Sequence, residues 1–513
     1  MTVPRSVQSQ PPGAPGARSF LRLVSSRPVP AAPGDGDGGA RPLLVAAIDD
    51  LPELPGDAFV AALARETAAG ARVLAYHGRR DDDRGVVLTA ALVRPRGLAV
   101  MRGRAVHDRP LPALRGPLGA HERLLERTYG LQLAAPPPRA ADAPLDPRDM
   151  WFWPAGHGAE ERDPGFGGLV DHGPLRLHCR GDHIRVVELR AGAEHDVETM
   201  LCTRPVAQLP ALVETLRGEG SVARAWAHAM AIEGLASVDL DLAGDVHRGV
   251  GLELERIAGH LVGLAATARA IGFGAGASDL DRLHALVRDL LMRLCGSRHG
   301  HGHVRPGGVR EAIGAARIAD VRATLAGLRG AFARCSATLL GARSVQARLD
   351  GVGGLTGADA TQLGLVGPAA RASGLPHDLR RDLPGRLYRR HAVDVFVEYD
   401  GDCLARASLR AREVDAAVAW ILNSIAGAAG ARPAAVLPSL APRHLAIAAV
   451  EGARGSIVHL LETDAAGRLL DYRAQDPAMF AWPALATAVR GGSLADVHLC
   501  AQSLDLALGG LAC

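Results

Sequence analysis

Between residues 252 and 271 the chain places Leu254, Ile257, Leu261, Leu264, Ala268 and Ile271 three and four residues apart, the spacing that puts side chains on one face of an α-helix. Similar stretches run near 221–236, 279–295, 318–340 and 412–426, so the pattern predicts a bundle of long, Ala-rich and therefore closely packed helices. Upstream the texture differs. From Pro42 to about Leu133, short apolar runs (LLVAAI, ARVLAY, GVVLTAALV, GLAVMRG) surround a helix-like stretch near Asp57 to Ala69, and they read as strands around one or two helices. An amphipathic helix follows within LPALRGPLGAHERLLERTYGLQL. The proline-rich run from Pro136 to Gly158 cannot hold a continuous helix and reads as an extended linker. Near the end, GSIVHLLETDAAGRLLDYRAQDPAMF alternates apolar and polar residues on either side of a Gly-containing turn, which predicts a β-hairpin beside the bundle. The expected class is α+β: a small N-terminal α+β domain, then a mainly helical one.

With 513 residues and 48% hydrophobic content the chain is long enough for two or three cores. All 58 basic residues are arginine, yet the formal net charge is only +3, which gives no strong field for nucleic acid or an anionic membrane surface. Seven cysteines lie scattered with no C-x-x-C pair, so reduced thiols are expected rather than a disulfide framework or a zinc or iron–sulfur site. The stretch from Met1 to Arg41 is rich in Pro, Gly and Ser, lacks an apolar signal-like core, and is expected to be disordered. No uncharged run reaches the ~20 residues needed to cross a bilayer, so any work at a membrane requires other subunits to hold the chain there.

Six fragments follow one another along the chain: HGPLRLHCRGDHI from His172, ELERIAGHLVGL from Glu253, RPGGVRE from Arg305, LGLVGPAARASGLPHDLRRDLP from Leu363, EGARGSIVHLLETD from Glu451, and SLD from Ser503. Together they resemble the large-subunit family shared by respiratory complex I (its forty-nine-kilodalton subunit) and the [NiFe] hydrogenases. The upstream helix ERLLERTYGL before a Pro-rich tail resembles the end of the thirty-kilodalton subunit of complex I. That fusion is the arrangement of the formate hydrogenlyase and hydrogenase-4 branch. The resemblance implies a tail at 1–41, a domain like the thirty-kilodalton subunit at 42–135, a linker at 136–165 and a large-subunit-like domain at 166–513.

The resemblance also locates departures. Where nickel-bearing members end in Asp-Pro-Cys-x-x-Cys, this chain keeps Asp505 but has Leu506, Ala507 and Gly510, none of which donates an electron pair to nickel. The first C-x-x-C of the family falls on Arg217, Gly218, Glu219 and Gly220, so the resemblance implies that a [NiFe] centre has no thiolate to hold it. The histidine that complex I members offer to a quinone head group corresponds to Arg190, the nearby family glutamate is kept as Glu194, and the tyrosine position falls on or near Gly218. An arginine donates to a carbonyl oxygen but delivers no proton at neutral pH. Arg454 matches the arginine that overhangs the metal centre or its empty equivalent, while Arg371 and Asp378 lie in a loop that the family places near the active cavity. The implied cavity is lined by Arg190, Glu194, Arg217, Arg371, Asp378, Arg454 and Asp505, a set that favours negative charge, supplied either by a substrate or by protein carboxylates.

Two local features have plainer readings. Gly307 and Gly308 suit a tight turn, and His299, His301 and His303 are either solvated loop imidazoles or three ligands on one strand or loop. The expected function is the large subunit of a membrane-associated oxidoreductase complex, related to NADH-quinone oxidoreductase and hydrogenase-4. It takes part in electron transfer or coupling without a [NiFe] centre. The chain itself is expected to hold no cofactor. Its expected partners are a small subunit with an iron–sulfur cluster and membrane pump-like subunits, at the inner face of the cell membrane. The alternative is a non-catalytic scaffold that retains only the family's shape and contacts.

Overall fold

The structure, a computed structural model, describes residues 22–24, 40–81, 85–95, 97–114, 116–134, 175–189, 197–216 and 219–506. The tail at 1–41 (apart from 22–24 and 40–41), the linker at 136–165, and Arg190, Glu194, Arg217, Gly218, Ala507 and Gly510 lie outside these residues.

The short N-terminal runs form the strands expected of them. Glu53–Pro55 (β3), Gly97–Ala105 (β6), Val86–Arg94 (β5) and Arg72–Arg80 (β4) make a four-stranded sheet in that order, with β3 parallel to β6 and the other pairs antiparallel. Helices Gly56–Ala68 (α1) and Gly119–Tyr129 (α2) cover it around Phe59, Leu63, Leu88 and Leu125. Leu43–Ala47 (β2), expected in this same unit, pairs instead with His444–Gly452 (β12). It thereby extends a second sheet ordered Leu469–Gln475 (β14), Gly455–Thr463 (β13), β12, β2.

The reason lies in the second sheet's burial on both faces. Along β12, Ala446 and Ala448 pack to one side with Leu43, while Leu445, Ile447 and Ala449 pack to the other with Leu44. One side is covered by helices Val197–Thr203 (α3), Leu209–Thr215 (α4) and Ser221–Leu235 (α5). The other meets the N-terminal sheet at Leu74, Ala75 and Ala91. Across that seam Glu462 of β13 takes Arg102 at 3.1 Å and Arg79 at 3.2 Å, buried ion pairs that tie the two sheets together.

The bundle is built on Leu242–Ala270 (α6), 29 residues and therefore about 44 Å long. Asp241 starts it by accepting a hydrogen bond from the Gly244 amide at 2.7 Å. Gly274–Cys295 (α7), Ala315–Gly341 (α8) and Cys403–Ser424 (α14) pack alongside, matching the predicted helices but each beginning upstream of its periodic segment. Between α8 and α14 run five short helices: Arg343–Leu349 (α9), Gly357–Gln362 (α10), Gly367–Ala372 (α11), Leu379–Asp382 (α12) and Gly385–Arg390 (α13). Ala478–Val489 (α15) and Val497–Ser503 (α16) close the described chain.

Three two-stranded ladders complete the fold. Leu175–Arg180 (β7) pairs with His183–Leu189 (β8), and Val304–Arg305 (β9) with Gly308–Val309 (β10) around the expected turn, where Gly307 has φ +83°. Arg22–Val24 (β1) lies antiparallel to Val395–Val397 (β11), so the expectation of a structureless tail fails for these three residues. β11 supplies the partner that an isolated extended tripeptide lacks.

Candidate functional site

The centre of the molecule is a seam between charged faces of two helices. On α6, Glu253, Arg256, His260 and Gly263 stand three, four and three residues apart, which stacks them on one face. On α14, Arg406, Arg410 and Glu413 share a face in the same way. All six side chains are buried. A buried charge persists only when paired or hydrogen-bonded: Arg406 donates to the Gly353 and Gly401 carbonyls and to Ser503, and the others form ion pairs. His260 Nε2 lies 2.8 Å from Glu413 Oε2, and Arg256 Nε donates to Glu253 Oε2 at 3.1 Å.

The loop after α11 adds the remaining members. Arg371 Nε donates to Glu413 Oε1 at 2.9 Å, and its Nη1 donates to Glu451 Oε1 at 3.1 Å and lies 3.5 Å from Asp378 Oδ2. Asp378 caps α12 by accepting from the Arg380 amide, and the Arg380 guanidinium donates to both of its oxygens at 3.0 and 2.7 Å. A further nitrogen of Arg380 reaches Glu253 at 3.1 Å, and the Tyr388 hydroxyl donates to the same carboxylate at 3.3 Å. Four stretches distant in sequence thus converge on one dry ionic cluster.

Electrostatics divides the carboxylates. Burial disfavours charge on Glu413, but Arg371 and then His260 outweigh it and hold its carboxyl well below the ordinary range. Asp378 is likewise lowered: burial opposes its charge, and Arg380 and Arg371 overcome it. Glu451 goes the other way, raised by burial and by the neighbouring Asp378 charge. His260 is pushed below the usual imidazole range, chiefly by burial.

A second set of ion pairs lies beside this cluster. The β12–β13 hairpin turns through Ala453 and Arg454, and Arg454 Nη2 reaches Glu219 Oε2 at 2.8 Å. At the end of α16 the Asp505 amide donates to Gln502 O and the Leu506 amide to Ala501 O, a Schellman closure with Asp505 at the left-handed position, φ +51°. Asp505 Oδ2 there accepts from Arg410 Nη2 at 2.7 Å. The approach requires Gly263, because a Cβ at that position would collide with Asp505 Oδ1. Asp505 and Arg454 line one cavity of about 20 Å³, and Arg454, Glu219 and Arg224 another of about 30 Å³. Each is water-sized. Two larger cavities adjoin the central cluster: one of about 230 Å³ bordered by Glu451 and Arg380, and one of about 280 Å³ bordered by Glu253, Arg380 and Glu413.

The histidine run does not form a shared site. His303 is buried, stacked on His247 with ring centroids 4.4 Å apart, and its Nε2 lies 2.9 Å from the His247 carbonyl oxygen. His299 and His301 stay together with rings 5.8 Å apart. Among the described residues no group of three His, Cys, Asp or Glu side chains is placed to hold a metal ion.

Residues 282–432, which contain Arg371, Asp378, Arg380 and Glu413, match the family described as "Respiratory-chain NADH dehydrogenase, 49 Kd subunit". This chain is related to that family. It is 28% identical over 335 residues to a subunit of the NADH-quinone oxidoreductase of Clostridium beijerinckii, covering 64% of this chain and 90% of that protein. It is 25% identical over 341 residues to the carbon monoxide-induced hydrogenase of Rhodospirillum rubrum, covering 64% of this chain and 92% of that protein. A chain of the membrane-bound sulfane sulfur reductase, an archaeal respiratory membrane complex, shares the fold with TM-score 0.61 and 22% identity over 64% of this chain and 92% of its own.

Of the residues this relationship singled out, Arg371 and Asp378 fall in the central cluster, whereas Arg454 and Asp505 meet at the neighbouring small cavity. Arg190, Glu194 and Arg217 are outside the described residues. Sequence reasoning did not single out Glu253, Arg256, His260, Arg380, Arg410, Glu413 or Glu451 as site residues. Most of these lay inside the very fragments that carried the resemblance, and the three- and four-residue spacing of charges in ELERIAGH was the available signal.

Proposed function

We propose that this chain serves as the large subunit of a membrane-associated respiratory oxidoreductase complex and takes part in electron transfer or coupling without a [NiFe] centre. The observation that carries the reading is the convergence of the ELERIAGH, RASG, PHDLR and EGARG segments on one buried ionic cluster, since segments far apart in sequence are kept together for a common site. The lack of a nickel centre rests on what occupies the surroundings of Arg454. Glu219, within the stretch that corresponds to the first C-x-x-C, pairs with Arg454, and Asp505 pairs with Arg410. Carboxylate–guanidinium pairs in water-sized spaces suit neither nickel nor a large anion.

The chain itself carries no cofactor in this reading. An iron–sulfur cluster sits in a partner small subunit, and pump-like membrane subunits supply the bilayer anchor, because among the described residues no helix is long and apolar enough to cross a membrane. A scaffold role is favoured by one fact: Arg371 and Arg454, the described members of the arginines expected to greet an anion, are paired with the chain's own carboxylates.

Purification of the native complex decides the matter. Co-purifying iron–sulfur and membrane subunits without stoichiometric nickel, and electron transfer abolished by Arg454→Leu with assembly intact, support the redox reading. Unchanged electron transfer in Arg454→Leu leaves the scaffold. Stoichiometric nickel overturns the ligand assignment.

A further inference from the structure

The central cluster contains four carboxylates, Glu253, Asp378, Glu413 and Glu451, against three guanidiniums, Arg256, Arg371 and Arg380, and one imidazole, His260. With His260 neutral the balance is three positive against four negative, one negative charge in excess. Of the neighbouring ions, Arg410 is matched by Asp505 and Arg248 by Glu233, Arg72 and Arg381 share Asp382, and Arg406 bonds Ser503, Cys403 and the Gly353 and Gly401 carbonyls; none of them pairs with a carboxylate of the cluster. An uncompensated charge in so dry a place is costly, and the cluster relieves it by binding one proton.

Geometry narrows where that proton resides. Glu253 receives Arg256, Arg380 and the Tyr388 hydroxyl, and Asp378 receives two nitrogens of Arg380 as well as a backbone amide. Glu451 receives only the Leu379 amide and Arg371 Nη1, a nitrogen that also lies 3.5 Å from Asp378. Two carboxylates beside one donor nitrogen do not ionise equally, and the better-bonded Asp378 keeps the charge. A proton on His260 would instead leave a buried N–H at Nδ1, which has no hydrogen-bond partner. The charged groups around Glu451 are Arg371 and Asp378, Arg380 of α12 and Arg256 of α6; the wall of the same cavity also carries Glu233 paired with Arg248, Arg386 paired with Asp239 and Asp245, and Arg41 and Arg389.

We propose that this cluster is a proton-loading site: Glu451 holds one exchangeable proton, reached from the 230 Å³ cavity. Arg371 bonds to both Glu451 and Glu413 and, being permanently charged, passes no proton itself. It couples the two carboxylates, so that removing the charge of Glu413 weakens the demand for a proton on Glu451. Loading takes one proton from bulk solvent, through the 230 Å³ cavity, onto the Glu451 carboxylate, and no electron moves. The use of that proton rests on the redox reading above; its storage does not.

Infrared spectroscopy of the purified full-length protein at pH 7 tests the storage. The expected result is a deuterium-sensitive carboxylic acid C=O component in the wild type, additional to the one Glu398 gives in every variant, that is lost in Glu451→Gln. It is also lost in Glu413→Gln, where Glu451 is intact but the excess negative charge is gone. A wild type without that component, or its survival in either variant, overturns the proposal; should Glu451→Gln fail to fold, Glu413→Gln decides. In the assembled complex, Glu451→Gln is expected to alter the pH profile of electron transfer. An unaltered profile beside a lost infrared component overturns the loading role while leaving the redox reading standing, whereas a complex without electron transfer in the wild type sinks the redox reading alone.

Discussion

Asp505 accepts Nε and Nη2 of Arg410 at 3.0 and 2.7 Å while its own backbone occupies the left-handed region that glycine favours. The side chain is what justifies the backbone. Asparagine tolerates this conformation and still accepts a hydrogen bond, whereas alanine does neither. Asp505→Asn is therefore expected to cost about 1 kcal/mol and Asp505→Ala about 2–3 kcal/mol, because Arg410 is left buried without its carboxylate. Urea unfolding midpoints of the two variants check the order, and equal costs would mean that the hydrogen bond and backbone tolerance kept by asparagine contribute nothing.

Arg371 is the member whose removal exposes the most charge. Glu413, Glu451 and Asp378 all lie within 3.5 Å of its guanidinium. Arg371→Met is expected to destabilise the protein by about 3–5 kcal/mol at neutral pH, the range for breaking a buried ion pair from one side. The deficit has a predictable pH dependence. The lowered carboxyl of Glu413 contributes stability above its ordinary range and loses it as pH falls, so the wild type loses more than the variant on acidification. Denaturation at pH 6 and at pH 3, on either side of the ordinary carboxyl range, should show the gap narrowing, and a constant gap counts against the ionic account.

Most of the fold was legible in the sequence because long helices and short alternating strands write their periods directly. The strand Leu43–Ala47 was misassigned because its neighbours in sequence are not its neighbours in the sheet, and a run apolar on both faces carries no period to say which sheet it joins. The site was half legible. Arg371, Asp378, Arg454 and Asp505 were named, yet they divide between two adjacent assemblies rather than lining one cavity. Their carboxylate partners were passed over because attention to Leu254, Ile257 and Leu261 concealed a second buried face of the same helix, carrying Glu253, Arg256 and His260. A charged residue on a helix ordinarily marks the solvent side, and only its partner on another segment reverses that inference.

Glu398 provides an acid whose sign is opposite to that of Glu413. Burial raises its carboxyl to about 7, with Asp400 and Asp402 adding to the rise and Arg412 opposing it. A raised acid contributes stability fully present below its unfolded value and lost as pH climbs through the folded one, here from the ordinary carboxyl range to about 7. Glu398→Gln removes that loss. Above pH 7 the variant is expected to be more stable than the wild type by on the order of 1 kcal/mol after allowance for solvent screening, and near pH 4 the two should coincide. Thermal unfolding across this range checks the slope.

Cys403, the first residue of α14, is held below the usual thiol range, to about 6. A hydrogen bond from Cys500 is the largest cause; burial opposes it, and Arg406, whose Nη2 donates to Cys403 Sγ at 3.3 Å, adds to the lowering. The lowering favours the thiolate form of Cys403, with Cys500 beside it as the thiol. The lowered group contributes stability above the ordinary thiol range and loses it as pH falls through about 6. Thiolate absorbance at pH 7.5 is expected in the wild type, absent in Cys403→Ser, and strongly reduced in Arg406→Met. Retention of the full signal in Arg406→Met would assign the lowering to Cys500 alone. Full signal in Cys403→Ser would place the thiolate on another cysteine.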